Sequence, residues 1–416
     1  MHRLWTFITE YSLLLVAAAA LALIWANLAP ESYHHLVHLV LWENAPVGAL
    51  HDHGGVITRD LTLHFLINDM AMALFFAMAA KEVWEAVVLP EGSLRGKKAL
   101  TPLIATAGGM AGPIGVYLGL AAIFGVWTEV SRGWAIPTAT DIAFSYVVGR
   151  IVFGARHPAI GFLLLLAIAD DAAGLVILAL FYPSGDLAPV WLLLSFAAAA
   201  LVWALASWLP RRLDRGDQSR RHSTFVRRVF GPWPYVIAGV VSWYGFYRAG
   251  LHPALGLLPV IPAIPHAARD FGIFAEEERH STDLLNAMEH ALKLPVQLIL
   301  FGFGLLNAGV GFSAISAATW LVLAGLVVGK PLGIMLFGWI AARGLGLGLP
   351  EGMAMRDLPL VGLIAAIGFT VSLFVASVAF APGLVQDGAK MGALLSLGSA
   401  VLAITAGRLM KVQRQS

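Results

Sequence analysis

No cysteine occurs among the 416 residues. Disulfides, thiol nucleophiles and Cys-ligated metals are therefore excluded. Charge is also scarce: Asp, Glu, Lys and Arg make up 12% of the chain, against about 25% in an ordinary soluble protein. The net charge of +2 is too small to suggest a nucleic-acid partner, and the basic residues sit in loops between apolar runs. No GxxxxGK[ST] sequence is present, so no ATP site of that kind is expected. The 13 histidines lie mostly in or beside loops and never form an HExxH pattern. His34, His35, His38, His51 and His53 crowd the stretch 31–60, but without convincing metal-ligand spacing. That stretch reads as an exposed interfacial loop.

What the chain does have is apolar length. Hydrophobic residues make up 59%, and the mean hydropathy is +0.78. Crossing a bilayer takes roughly 20 mostly apolar residues. Twelve apolar segments are expected, near 12–30, 61–88, 99–125, 134–153, 157–182, 187–209, 233–248, 251–268, 287–309, 316–342, 357–381 and 388–408. The seventh and eighth are short and broken by proline. The first is read as a retained span, because it is longer than the core of a signal peptide and ends in Trp25 and Asn27. The fold class expected is an all-α integral membrane protein of about 12 transmembrane helices, one domain over 1–416.

Loop charge sets the orientation. Arg95, Lys97 and Lys98 lie between the second and third segments. Arg211, Arg212, Arg215, Arg220, Arg221, Arg227 and Arg228 lie between the sixth and seventh, and Lys411 and Arg414 in the tail. The alternate loops carry little: Arg59 in the first and Arg132 in the third. Positive loops stay in the cytoplasm. Both termini are thus expected on the cytoplasmic side of the cell inner (cytoplasmic) membrane, which requires an even number of spans and fits twelve.

Ionisable groups inside apolar spans are costly and usually functional. Three sites stand out: Asp170-Asp171 in the fifth segment, Asp141 in the fourth within Pro137-Thr-Ala-Thr140-Asp141, and Lys330 in the tenth. Lys330 lies about 12 residues from either end, roughly 18 Å of helix. That is too deep for its ammonium to reach the interface, so it needs a buried partner. Adjacent helical residues point about 100° apart. One aspartate can therefore face a neighbouring helix and pair with Lys330 while the other faces a hydrated cavity. A purely structural Asp–Lys brace would account for one aspartate at most.

Two segments also look broken. Pro137, Thr138, Thr140 and Asp141 interrupt the fourth. Gly362, Gly368, Thr370 and Ser372 loosen the eleventh. Irregular backbone at membrane depth is tolerated only inside protein or beside water. Segments three to five and ten to twelve each have their broken member in the middle. Their first members are seven spans apart, an odd number, so the trios run in opposite directions. An inverted repeat is expected, about 99–182 and 316–408.

At these residues the chain resembles the NhaA-type sodium/proton antiporters. The likeness rests on Ile67-Asn68-Asp69, Pro137-Thr-Ala-Thr-Asp141-Ile-Ala-Phe144, Ala169-Asp170-Asp171, Leu306-Asn-Ala-Gly-Val310, Gly329-Lys330-Pro-Leu-Gly333 and Ile367-Gly-Phe-Thr370. Each is short; together they span nearly the whole chain in the family's order. The resemblance implies two broken helices crossing at mid-membrane. It implies a transporter rather than an enzyme, exchanging sodium or lithium ions for protons. Exchange would be electrogenic, driven by the proton gradient, and would serve sodium and pH homeostasis. Sodium would sit at Asp171 and Asp170, with Asp171 the more direct ligand. Lys330 would pair with Asp170, and Thr140 and Asp141 would support the site. No resident cofactor is expected, and a homodimer is implied. Candidate pH-response residues are Glu82, Glu85, Glu289 and His290. Here the chain departs from the family: Glu85-Ala86 stand where a basic residue is expected after the first glutamate, and a second histidine after His290 is replaced near Lys293. The departures bear on the pH profile and not on exchange itself. A solvated helix end is the plain alternative for these glutamates.

Two other classes fit less well. An intramembrane aspartyl protease would need its aspartates in YD and GxGD contexts, whereas Asp141 follows threonine and Asp170 follows alanine. An organic-anion transporter of related fold would not need Lys330 against Asp170.

Overall fold

The computed structural model describes residues 2–52, 57–89, 92–96, 99–215, 221–265 and 284–412. Lys97, Lys98, His53, Arg220 and Arg414 of the loops discussed above lie outside the described residues. In chain order come α1 (His2–Leu28), α2 (Pro30–Val37), β1 (Val40–Trp42), β2 (Ala49–Asp52), β3 (Ile57–Thr62) and α3 (Leu63–Val88). Then follow α4 (Leu100–Ile123), α5 (Ile142–Phe153), α6 (Pro158–Phe181) and α7 (Pro189–Leu213). The remainder is α8 (Arg221–Val229), α9 (Trp233–Ala249), α10 (Leu284–Asn307), α11 (Ala317–Gly344), α12 (Asp357–Ala365), α13 (Phe369–Ala379) and α14 (Leu384–Leu409).

The chain is mostly helical. Among the described residues eight helices are long and apolar enough to cross a membrane, or nine when α12 and α13, bent by 50°, count as one span. Where an all-α chain was expected, the stretch after α2 instead forms a three-stranded antiparallel sheet of order β1-β3-β2. Turn residues explain it. Asn44 takes a left-handed φ of 51° between strands too short to show a clear period. The eighth apolar segment also differs: its described part forms two tight 3-10 turns, Pro253–Leu255 and Leu258–Ala263. Prolines at 253, 259 and 262 remove the amides a continuous helix would need.

Contacts divide the chain into two compact units. The first takes Met1–Leu36, Ser93–Ile177 and Gly304–Ser416; the second takes Val37–Gly92 and Leu178–Phe303. In the first, α4 and α11 pack backbone against backbone. A Cβ on Gly108 or Gly333 would overlap the other's carbonyl, and one on Gly112 would overlap the carbonyl of Gly329. Only residues without side chains allow that approach.

In the second unit the core gathers Ala199, Val202, Tyr235, Ala238, Val260 and Ile261. Buried serines tie its irregular turns to helices. Ser207 donates to the carbonyl of Ala263 at 2.7 Å, and Ser242 donates to that of Gly256 at 2.6 Å. Each supplies a donor to a carbonyl that a broken helix leaves open.

Candidate functional site

Helix α6 carries Asp170 and Asp171 in mid-span. His157 Nδ1 accepts the amide of Ala159 at 3.2 Å and caps its start. Asp170 is buried, whereas Asp171, the next residue round the helix, is partly exposed. The two neighbours thus occupy different surroundings, as a 100° step dictates.

Asp170 is held from two other elements of the same unit. Lys330 Nζ lies 2.8 Å from its Oδ2, with both side chains wholly shielded from solvent. Thr140 donates its hydroxyl to the same oxygen at 2.6 Å. The other oxygen, Oδ1, is buried with no hydrogen-bond partner among the described residues. An ionised carboxylate oxygen in such a place has unmet capacity to accept a proton or ligate a cation. Lys330 stands at the end of a wide π turn, Gly325–Gly329, and before Pro331. It also donates to the carbonyl of Thr138, left open where the turn Ile136–Thr138 ends. One ammonium therefore serves both a carboxylate and a broken helix.

Both interruptions expected from sequence are present as backbone features. Chain 136–138 makes one 3-10 turn, Ala139 and Asp141 are extended, and α5 begins at Ile142. The other interruption is the bend between α12 and α13. Asp141 is buried and N-caps α5, its Oδ1 accepting the amide of Phe144 at 3.2 Å.

The four candidate pH-response residues lie in the second unit. Lys81, not among those candidates, is the centre of the three glutamates. Its ammonium is 2.9 Å from Glu85 Oε2, 2.8 Å from Glu289 Oε2 and 3.5 Å from Glu82 Oε1. Lys81 is 3% exposed and Glu85 7%, so neither belongs to a solvated helix end. Lys293 approaches Glu289 at 3.7 Å, and His290 is exposed. The i,i+4 spacing of Lys81 and Glu85 was a legible signal; Glu289, 208 residues away, was not. Also unanticipated is His252, buried 3.8 Å from Asp69. Asp69's own carbonyl accepts Trp243 Nε1–H at 2.9 Å. No cluster of three or more His, Cys, Asp or Glu with metal-holding geometry occurs among the described residues.

This constellation can be set against known proteins. The family model "Na+/H+ antiporter 1" matches residues 6–409. The chain belongs to this family. A protein of Jannaschia sp. (strain CCS1), named Na(+)/H(+) antiporter NhaA, is 67% identical over 418 residues, covering 100% of both chains. One of the same name from Geobacter sulfurreducens is 44% identical with the same full coverage. Another, from Desulfitobacterium hafniense, is 46% identical over 98% of this chain and 96% of its own. Family and apolar helices together make this antiporter-family chain a multi-pass membrane protein.

Proposed function

We propose that the chain exchanges sodium or lithium ions for protons across the cytoplasmic membrane, with Asp170 and Asp171 as the shared cation and proton site. The observation that carries the reading is the partnerless buried Oδ1 of Asp170, next to a carboxylate of different exposure. The names of full-length relatives support the ions exchanged.

Sodium is a hard cation that prefers oxygen ligands. A carboxylate supplies oxygens when ionised and withdraws them when protonated. A site that holds one or the other, alternately open to each side, gives obligate exchange. Asp171, the more exposed of the pair, is the more direct ligand. Asp170 is its partner, balanced by Lys330 and oriented by Thr140. Asp141 offsets helix starts and Lys330 helix ends. Glu82, Glu85 and Glu289, organised by Lys81, are with His290 the pH-response group.

Around this site we place twelve spans with both termini cytoplasmic, in a single antiporter domain. Its inverted repeats run about 99–182 and 316–408, their broken members crossing at mid-membrane. Support comes from the loop charges and from the hydrogen bonds joining the two interruptions. Exchange is electrogenic and driven by the proton gradient, and the working form is a homodimer. The test is purified protein in liposomes with an imposed pH gradient, titrated with sodium, lithium and potassium. Sodium and lithium collapse the gradient, potassium does not, and Asp171→Asn abolishes the effect while remaining folded. Normal exchange by that variant would overturn the site assignment.

A further inference from the structure

One carboxylate begins two helices. Asp141 Oδ1 takes the amide of Phe144 at the start of α5. Its Oδ2 faces the start of α13, where it accepts the amide of Thr370 at 3.4 Å and the hydroxyl of Thr370. In return the Asp141 amide donates to the carbonyl of Ile367 at 2.7 Å. The exchange continues on both sides. Ser145 donates to Ile364 O at 3.1 Å and Ser372 to Ile136 O at 2.7 Å, while the Thr140 hydroxyl, whose one proton goes to Asp170, also lies 3.0 Å from Ala365 O. All these side chains are buried.

From this geometry we infer that Thr370 is a positioning residue for exchange. Its hydroxyl holds the Asp141 carboxylate across both helix starts. Through the backbone of Asp141 it fixes the neighbouring Thr140, whose hydroxyl reaches Asp170. The inference rests on the reading of Asp170 and Asp171 as the ion site.

Two helix starts each present about half a positive charge. A single carboxylate offsets both only if it is held between them. The Thr370 amide is a long donor at 3.4 Å, near the limit of a useful hydrogen bond. The hydroxyl, bonded to a charged acceptor, is therefore the stronger half of the tie to α13. Without it the carboxylate has a close donor only on α5 and turns toward that helix. Thr140 is one peptide away, and sites of this kind lose function when their groups shift by about 0.5 Å.

The test compares Thr370→Val, Thr370→Ala and Thr370→Ser in proteoliposomes, with Asp171→Asn alongside. Sodium and lithium titrations give apparent KM and maximal rate. Loss of the hydroxyl in Thr370→Val or Thr370→Ala raises the sodium KM about tenfold, as expected for one hydrogen bond to a charged group. Thr370→Ser, which keeps the donor, stays within about twofold of the parent. A role in packing alone would lower thermal stability and leave KM in place. Parental KM in the alanine or valine variant overturns the inference, as does a serine variant equally impaired. If Asp171→Asn is inactive while the Thr370 variants keep parental KM, this inference alone fails. If Asp171→Asn exchanges normally, it is the site reading that fails.

Discussion

Lys330 and Asp170, 160 positions apart in sequence, meet at 2.8 Å with neither side chain reached by solvent. Breaking one member of such a pair commonly costs about 3–5 kcal/mol, because the other charge is stranded. Here the stranded aspartate has an escape, since it can take up a proton. Lys330→Ala should therefore lower the melting temperature clearly, and by less than that full cost. The double change Asp170→Asn with Lys330→Gln should recover stability relative to either single. A thermal-shift double-mutant cycle measures the coupling. Additive losses would show that the contact contributes nothing.

Competition at the aspartates has its own signature. If proton and sodium occupy the same oxygens, apparent sodium affinity weakens as pH falls, by up to about tenfold per pH unit for one competing proton. Sodium added to weakly buffered protein should release protons. Affinity independent of pH between about 6 and 9 would mean separate sites.

Lys81 gathers Glu82, Glu85 and Glu289. Lys81→Met should leave those carboxylates facing one another and lower thermal stability. Adding Glu289→Gln should restore part of the loss, because one repelling charge is removed. The pH–activity curve of Lys81→Met should move relative to that of the parent. An unmoved curve would detach the cluster from pH response.

Asp214 lies just past the end of α7 and caps α8, its oxygens accepting the amides of His222 at 2.9 Å and Ser223 at 2.8 Å. Burial acts to raise its pKa, but hydrogen bonds from Ser223 and His222 outweigh it and hold the carboxyl below its usual range. A depressed folded value means the cap's stabilisation is present above the ordinary carboxylate pKa and lost as pH falls through the lower one. Helix α8 should therefore stay protected at pH 5. Asp214→Ala should expose it to limited proteolysis at neutral pH, and equal cleavage in parent and variant would refute the cap.

The charges were legible in sequence because apolar runs make any ionisable residue conspicuous. Asp170, Asp171, Asp141 and Lys330 could be picked out that way, and the glycines and prolines of both interruptions likewise. The Lys330 bond to the Thr138 carbonyl was not legible, since a backbone acceptor has no residue code. Nor was Lys81 as a hub, because its partner Glu289 arrives from a distant helix. The sheet escaped notice because strands of three to six residues are too short for alternation to register. Three prolines around residue 258 had marked a weak helix, and they produced tight turns instead.

The close approach of Gly108 and Gly333 has a mechanical consequence. Packed helices slide past one another by trading side-chain rotamers, in small steps. Where backbone meets backbone there are no rotamers to trade. Helices α4 and α11 therefore meet with no side chain between them to absorb a relative shift. Lys330 lies three residues before Gly333 on the same helix, and its ammonium is tied at that depth to Asp170. Any rearrangement that keeps this backbone contact must carry α4, α11 and the Lys330 ammonium together.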